Sequence, residues 1–209
     1  MKALLWKESL FLKKKMQKML LLIAIEFVLV LYFIYGLNSI PIHIKFNLIL
    51  GTTSIIFLLQ ILFESIKTDK QNRVYEKMLQ IFSIQKILIV KVLFSVFIAT
   101  ILSSMYSFLF YGYQLYLGIQ IPSQYLLSLL LLPFINLLFG IVLCVVMFLV
   151  DNIVILKVTS MFGAMFYVLT FTNIHQYKII GTIIGILLFL VITLHFLLKK
   201  ISNEKFLTM

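Results

Sequence analysis

Residues 125–150 read YLLSLLLLPFINLLFGIVLCVVMFLV, a stretch without a single charged side chain. A helix on the surface of a soluble protein pairs an apolar stripe with a charged face, and this one is apolar all round. About 20 such residues cross the roughly 30 Å of a bilayer's hydrocarbon. A barrel strand would be about ten residues of alternating polarity, which this run is not. The stretch therefore reads as a transmembrane helix.

Working outward, comparable runs occur at 19–37, 47–65, 92–111, 153–171 and 179–198. The expected fold class is all-α: a polytopic membrane protein with six transmembrane helices, forming one domain over 1–209. Composition agrees, with 63% apolar and 12% charged residues and a mean hydropathy of +1.13. Soluble domains carry about 25% charged residues. The run at 153–171 is interrupted by Lys157, which can snorkel to an interface. The first run is too long for a signal-peptide core and lacks a small-residue cleavage site, so no cleaved leader is expected.

Charge sets the expected orientation. With the N-terminus inside the cell, all but Lys45 and Lys178 of the 18 Lys and Arg residues fall on the cytoplasmic side. That is the bias that orients membrane proteins. Both termini are then cytoplasmic in a plasma membrane. Tyr32, Tyr35, Tyr111, Tyr113, Tyr116, Tyr125 and Tyr177 gather near the outer ends, where an aromatic belt belongs. A net charge of +11 raises the question of nucleic acid. The basic residues sit in clusters between apolar runs, which is an anchoring pattern and not a nucleic-acid stripe.

Two polar segments have helical periodicity. In residues 1–18, Met1, Leu5, Leu12 and Met16 share one face with Ser9, while Lys7, Lys14 and Lys18 face away. Leu4 and Phe11 fall on the lysine side, so the separation is incomplete. The expected element is an interfacial anchor helix, with Leu5, Trp6, Leu12 and Met16 toward lipid and Lys14 and Lys18 toward headgroups. In the polar region 67–91, Val74, Tyr75, Met78, Leu79 and Phe82 share one broad face; Arg73, Glu76, Lys77 and Gln80 share the other. Such a ridge fits a groove of a partner protein, or lies on lipid and contacts nothing.

With that region, the chain resembles the membrane permease subunit of a type-2 ATP-binding-cassette (ABC) exporter. The resemblance covers nearly the whole length: a basic N-terminal helix, six spans, inside termini and a charged helix between spans two and three. Glu76, Met78, Leu79, Ser83 and Lys91 stand in places comparable to the family's pattern. The family's usual Gly is replaced near Arg73 or Val74, and Ile81 and Phe82 stand where its Pro occurs. The resemblance implies two permease chains seated on separate ATPase subunits, which carry the ATP and Mg. The helix holding Arg73, Val74, Tyr75, Glu76, Met78, Leu79 and Phe82 would couple nucleotide-driven closure to the spans. No G-x-x-x-x-G-K-[ST] phosphate loop exists in this chain, so no cofactor is expected on it.

Charged and polar groups inside hydrocarbon are costly and mark candidate sites. Glu26, Gln60 and Asn136 are the candidate substrate-pathway residues; the alternative for Glu26 is a place nearer the inner interface, neutral or bonded to a neighbouring helix, and for Asn136 ordinary helix packing. Glu64 reads as interfacial. Pro133 and Gly140 can bend their span, and Thr52, Thr53, Ser54, Thr159 and Ser160 allow close helix approach. His43, His175 and His195 share no ligand spacing with Cys or carboxylate, so no metal is expected. Cys144 reads as a small core hydrophobe. Motifs such as H-E-x-x-H and G-x-S-x-G are missing, and an enzyme is not expected.

The favoured expectation is outward movement of an amphiphile: a hydrophobic or antimicrobial peptide, a lipid or a drug. The Lys-, Ile- and Leu-rich usage resembles a low-GC bacterium, where such permeases serve bacteriocin immunity. Two alternatives stand beside it: the substrate-binding subunit of a vitamin importer and an ATPase-independent immunity protein. The scarcity of alanine counts against the importer subunit.

Overall fold

Between Pro41 and Pro122 there is no proline, and the helices run long wherever nothing interrupts them. The computed structural model describes residues 2–36, 40–72, 74–119, 124–149, 153–172 and 177–200. Eight helices follow in order among them: α1 (Lys2–Lys14), α2 (Met16–Tyr35), α3 (Ile42–Gln71), α4 (Val74–Ile81), α5 (Ile84–Tyr116), α6 (Gln124–Leu149), α7 (Ile153–Thr172) and α8 (Tyr177–Lys200). The all-helical expectation holds.

Four of these are long and apolar enough to cross a membrane: α2, Ile44–Gln71 of α3, α5, and Tyr125–Phe148 of α6. The transmembrane character read from composition rests on them. In α7 and α8 the described apolar stretches are shorter, Ser160–Thr170 and Ile183–Thr193.

Two boundaries differ from the sequence reading. The expected polar connection at 67–91 is mostly helix: α3 continues to Gln71 and α5 starts at Ile84, which leaves α4 between two short breaks. No glycine or proline lies between 66 and 91 to stop either helix. The expected single helix over 1–18 instead breaks at Lys15, so Met16 and Lys18 belong to α2.

α3 is the axis of the bundle. Two thirds of its most apolar window is buried, against 11% for α2. Ile49, Leu50, Phe57, Leu58 and Leu62 are fully enclosed, with α5, α6 and α7 packed around them. Lipid tails are as apolar as these side chains, so packing and interhelical hydrogen bonds hold such an interface. The aromatic pairs Phe46–Tyr125 and Phe139–Tyr167 each have centroids 4.8 Å apart, within the favourable range for ring pairs. α2 is peripheral: Glu26 and Val30 are buried, and the exposed large apolar residues include Leu21, Val28 and Tyr32.

Gly140 of α6 lets α6 approach α5 closely. A Cβ there would meet Val96 Cγ2 at 3.1 Å and Val92 Cγ1 at 3.2 Å, on α5. Gly140→Leu is therefore expected to cost about 1–3 kcal/mol through overpacking. Gly112→Ala, with open space around its Cβ, is expected to be neutral or slightly stabilising. Thermal midpoints of the two variants in detergent check this; equal midpoints would contradict the packing.

Candidate functional site

The polar chemistry of the chain concentrates at the end of the bundle that carries α1 and α4. Lys91 enters α5 inside the run ILIVKVLF and is 1% exposed. Its ammonium lies 2.9 Å from Glu8 Oε1 and 2.6 Å from Asp69 Oδ2. It also donates to Ser65 Oγ. Ser65 in turn donates to Glu8 Oε2 at 2.7 Å. Lys7 closes the set, pairing with Asp69 and lying 3.4 Å from Glu8 Oε1. Two carboxylates and two ammonium groups thus form a neutral cluster joining α1, α3 and α5. Beside it, Glu64 of α3 pairs with Lys15 at 3.4 Å and Lys18 at 3.8 Å.

Local helix geometry makes this cluster. Leu4 and Glu8, one turn apart, are the buried residues of α1. The face that turns inward is thus the lysine side, where Leu4 and Phe11 break the sequence pattern. Ser65 and Asp69 are likewise one turn apart on α3. Sequence reasoning placed Lys91 among the cytoplasmic basic residues, where the resemblance has a lysine opening the third span, and gave Glu8 no role. The available signal was isolation: Lys91 sits among aliphatics, and Glu8 is the sole acid of α1.

The anchor residues of residues 1–18 divide. Leu5, Trp6, Lys14, Met16 and Lys18 are exposed and Leu12 is half-buried. The α1 face that carries Leu5 and Trp6 therefore looks away from the protein.

α4 splits its apolar ridge. Met78 and Leu79 are buried in the chain's own core, and Val74 and Phe82 pack against its edge. Glu76, Lys77, Gln80 and Ile81 are exposed, Ile81 at 75%. The ridge read as one docking face is thus divided, because Met78 and Leu79 find apolar partners within the chain. Burying each is worth about 1.5–3 kcal/mol in water. Arg73 and His175 lie outside the described residues, as do the side chains of Tyr75, His43, Lys157, Thr159 and His195.

Deeper in the bundle, Asn136 of α6 ties three helices. Its Oδ1 accepts from Ser54 of α3 at 2.8 Å and from Tyr167 of α7, and its Nδ2 donates to Thr100 of α5 at 3.0 Å. A second bond, Ser128 Oγ to Asn47 Oδ1 at 3.0 Å, joins α6 to α3. Glu26 is elsewhere. It is buried on α2, and its Oε2 has no hydrogen-bond partner among the described residues. Tyr106 of α5, whose hydroxyl donates to Ile23 O at 2.6 Å, is a turn away. Gln60 is half-buried on α3. Among the described residues no hydrogen bond or ion pair brings Glu26, Gln60 and Asn136 together. Lys45, expected in an outer loop, lies within α3 and is buried, with its ammonium 3.4 Å from Ile34 O. No group of three His, Cys, Asp or Glu is placed to hold a metal ion among the described residues.

Searches against protein-family models, curated proteins and solved structures found no match for this chain.

Electrostatics of the cluster give two predictions. Lys91→Met leaves Glu8 and Asp69 buried with Lys7 alone, and losing one partner of a buried pair costs about 3–5 kcal/mol. Glu8→Leu combined with Lys91→Met keeps the neutral Lys7–Asp69 pair. The double variant is expected to melt well above the single variant; the reverse order would exclude the cluster as drawn. Burial pushes the Glu8 carboxyl up, but the ammonium groups of Lys91 and Lys7, with hydrogen bonds from Lys91 and Ser65, more than reverse this. Glu8 is held below its ordinary 4.5. Its stabilisation is therefore full above the ordinary value and is lost as pH falls from there through the lowered folded value. Melting curves from pH 7 to pH 3 are expected to fall less steeply in Glu8→Gln than in the parent chain.

Proposed function

We propose that the chain is the membrane permease subunit of an ATP-driven exporter of the type-2 ABC kind. Two such chains span the plasma membrane with both termini inside, six helices each, on separate ATPase subunits that hold ATP and Mg. The observation that carries this reading is the construction around α4. A short amphipathic helix connects the two longest helices, α3 and α5. It is fixed on its inner side by Met78 and Leu79 and shows a charged face with one large apolar residue, Ile81. Behind it, Asp69 and Lys91 pair across α3 and α5. A force applied to α4 is passed to both helices together, and through Glu8 to α1. That is the mechanical requirement of a coupling element driven by a partner's conformational change.

In this reading Glu76, Lys77, Gln80 and Ile81 meet the ATPase, and Met78 and Leu79 hold α4 in place. The transported molecule is an amphiphile, a hydrophobic peptide, lipid or drug, since the spans offer few charges. Glu26, buried on a peripheral helix with an unpartnered oxygen, is the residue to meet a polar or cationic part of it.

The test is co-expression with the ATP-binding-cassette ATPases of the source genome, beginning with any in a neighbouring reading frame, followed by affinity capture of the chain. Lys77→Glu with Ile81→Asp is expected to weaken ATPase capture at least tenfold, about 1.4 kcal/mol, without lowering the melting temperature. Capture unchanged by that pair would remove α4 as the docking element. Orientation is read from Lys77→Cys, with Cys144 buried and silent. A membrane-impermeant maleimide added outside intact cells is expected to leave it unlabelled.

A further inference from the structure

A groove of about 460 Å³ runs between α1, α2 and α5. Its walls are apolar: Leu12 of α1, Met16, Leu20 and Ile23 of α2, and Ile101 and Leu102 of α5. Its volume falls within the range of small-molecule sites, about 300–1,000 Å³. At Ile23, a lining residue, the Tyr106 hydroxyl of α5 bonds the backbone carbonyl and ties α2 to α5. Ser9 and Lys13, both exposed, complete its lining on the α1 side.

Charge on the exposed face of α1 that leads to Lys13 is of one sign. Lys2, Trp6, Ser9 and Lys13 are exposed, and their spacing puts them on one face of α1. The acids nearby are already committed, Glu8 and Asp69 to Lys7 and Lys91, and Glu64 to Lys15 and Lys18. No described carboxylate lies within ion-pair distance of Lys2 or Lys13.

We propose that this groove is a binding site for one anionic phospholipid, with an acyl chain between α2 and α5 and the phosphate at Lys13, Lys2 adding positive charge further along the same face of α1. A long apolar slot beside a cationic helix face complements an anionic amphiphile at both ends. A second copy of the chain is disfavoured as occupant, because pairing through this face brings two unneutralised lysine rows together. The lipid wedges α1 against α5 and so sets the seat of α1 beside the Glu8–Lys91 pair. The site does not depend on the transport reading and stands or falls separately from it.

Lipid-selective quenching of a tryptophan in the groove tests this. In a Trp6→Phe background, Ile101→Trp puts the sole tryptophan on the groove wall; Leu20→Trp reports from the opposite wall where the first variant does not fold. The full chain is reconstituted in phosphatidylcholine vesicles containing equal fractions of acyl-brominated phosphatidylglycerol or acyl-brominated phosphatidylcholine. Quenching by the phosphatidylglycerol is expected to be at least threefold stronger and saturable. Adding Lys2→Gln and Lys13→Gln is expected to bring the two lipids to parity. Equal quenching without the lysine substitutions overturns the proposal. So does weak quenching by both lipids together with disulfide-linked dimers of an Ile101→Cys chain, which would place a second copy there.

Discussion

A lysine ammonium sealed from solvent must be matched by carboxylates, and at Lys91 that constraint organises one whole end of the molecule. The idealised transfer cost of a bare ion is of order 20 kcal/mol, so Lys91 is tolerable only with Glu8 and Asp69 in place. Glu8 comes from the first helix, 83 positions earlier. Asp69 comes from the last turn of α3. Their meeting fixes where α1 lies, how far α3 extends and where α5 begins. The short helix between α3 and α5 inherits its position from that meeting. Removing a buried pair entirely is often harmless to stability, so the cluster is better understood as a device for specifying geometry than as a source of net free energy.

Away from this end, the same rule operates with neutral groups. Asn136 accepts from Ser54 and Tyr167 and donates to Thr100, so one amide joins four helices. Bonds of this kind in membranes average about 0.6 kcal/mol and reach about 1.7. Their value lies in register: α3, α5, α6 and α7 cannot slide past one another without stranding a polar group in hydrocarbon. Glu26 and Gln114 are exceptions, and Glu26 is a carboxyl held in the interior with one oxygen unanswered among the described residues. Buried polar atoms in that condition are rare, which is why it stands out on a helix that otherwise meets the protein so little.

Much of this architecture is legible in the amino-acid order. Uncharged runs such as 125–150 announce their helices because length and apolarity alone decide them. The helix at Val74–Ile81 is legible from its periodicity. The seating of that helix is not, because periodicity shows that Met78 and Leu79 share a face without showing whether the face looks at a partner or at the chain's own core. The charge cluster is equally hidden. A one-dimensional reading counts Lys91 as another basic residue beside the membrane, and nothing local says that Glu8 will arrive next to it. The clues were exceptions to pattern: Leu4 and Phe11 on the lysine side of α1, and a single Lys within ILIVKVLF. In each case the misfit residue marks a contact with a distant part of the chain.

The length of α3 and α5 has a mechanical consequence. At 30 and 33 residues and 1.5 Å per residue, they measure about 45 and 50 Å, against about 30 Å of hydrocarbon. Each is a stiff rod with buried residues along nearly its whole length, Phe46 to Asp69 on α3 and Ile84 to Gln114 on α5, and the two are joined at one tip through the short helix. Rods packed together in this way lean as one body. Their excess over the hydrocarbon is taken up by tilt or by a projecting tip, so the thickness of the surrounding lipid sets the angle of the pair.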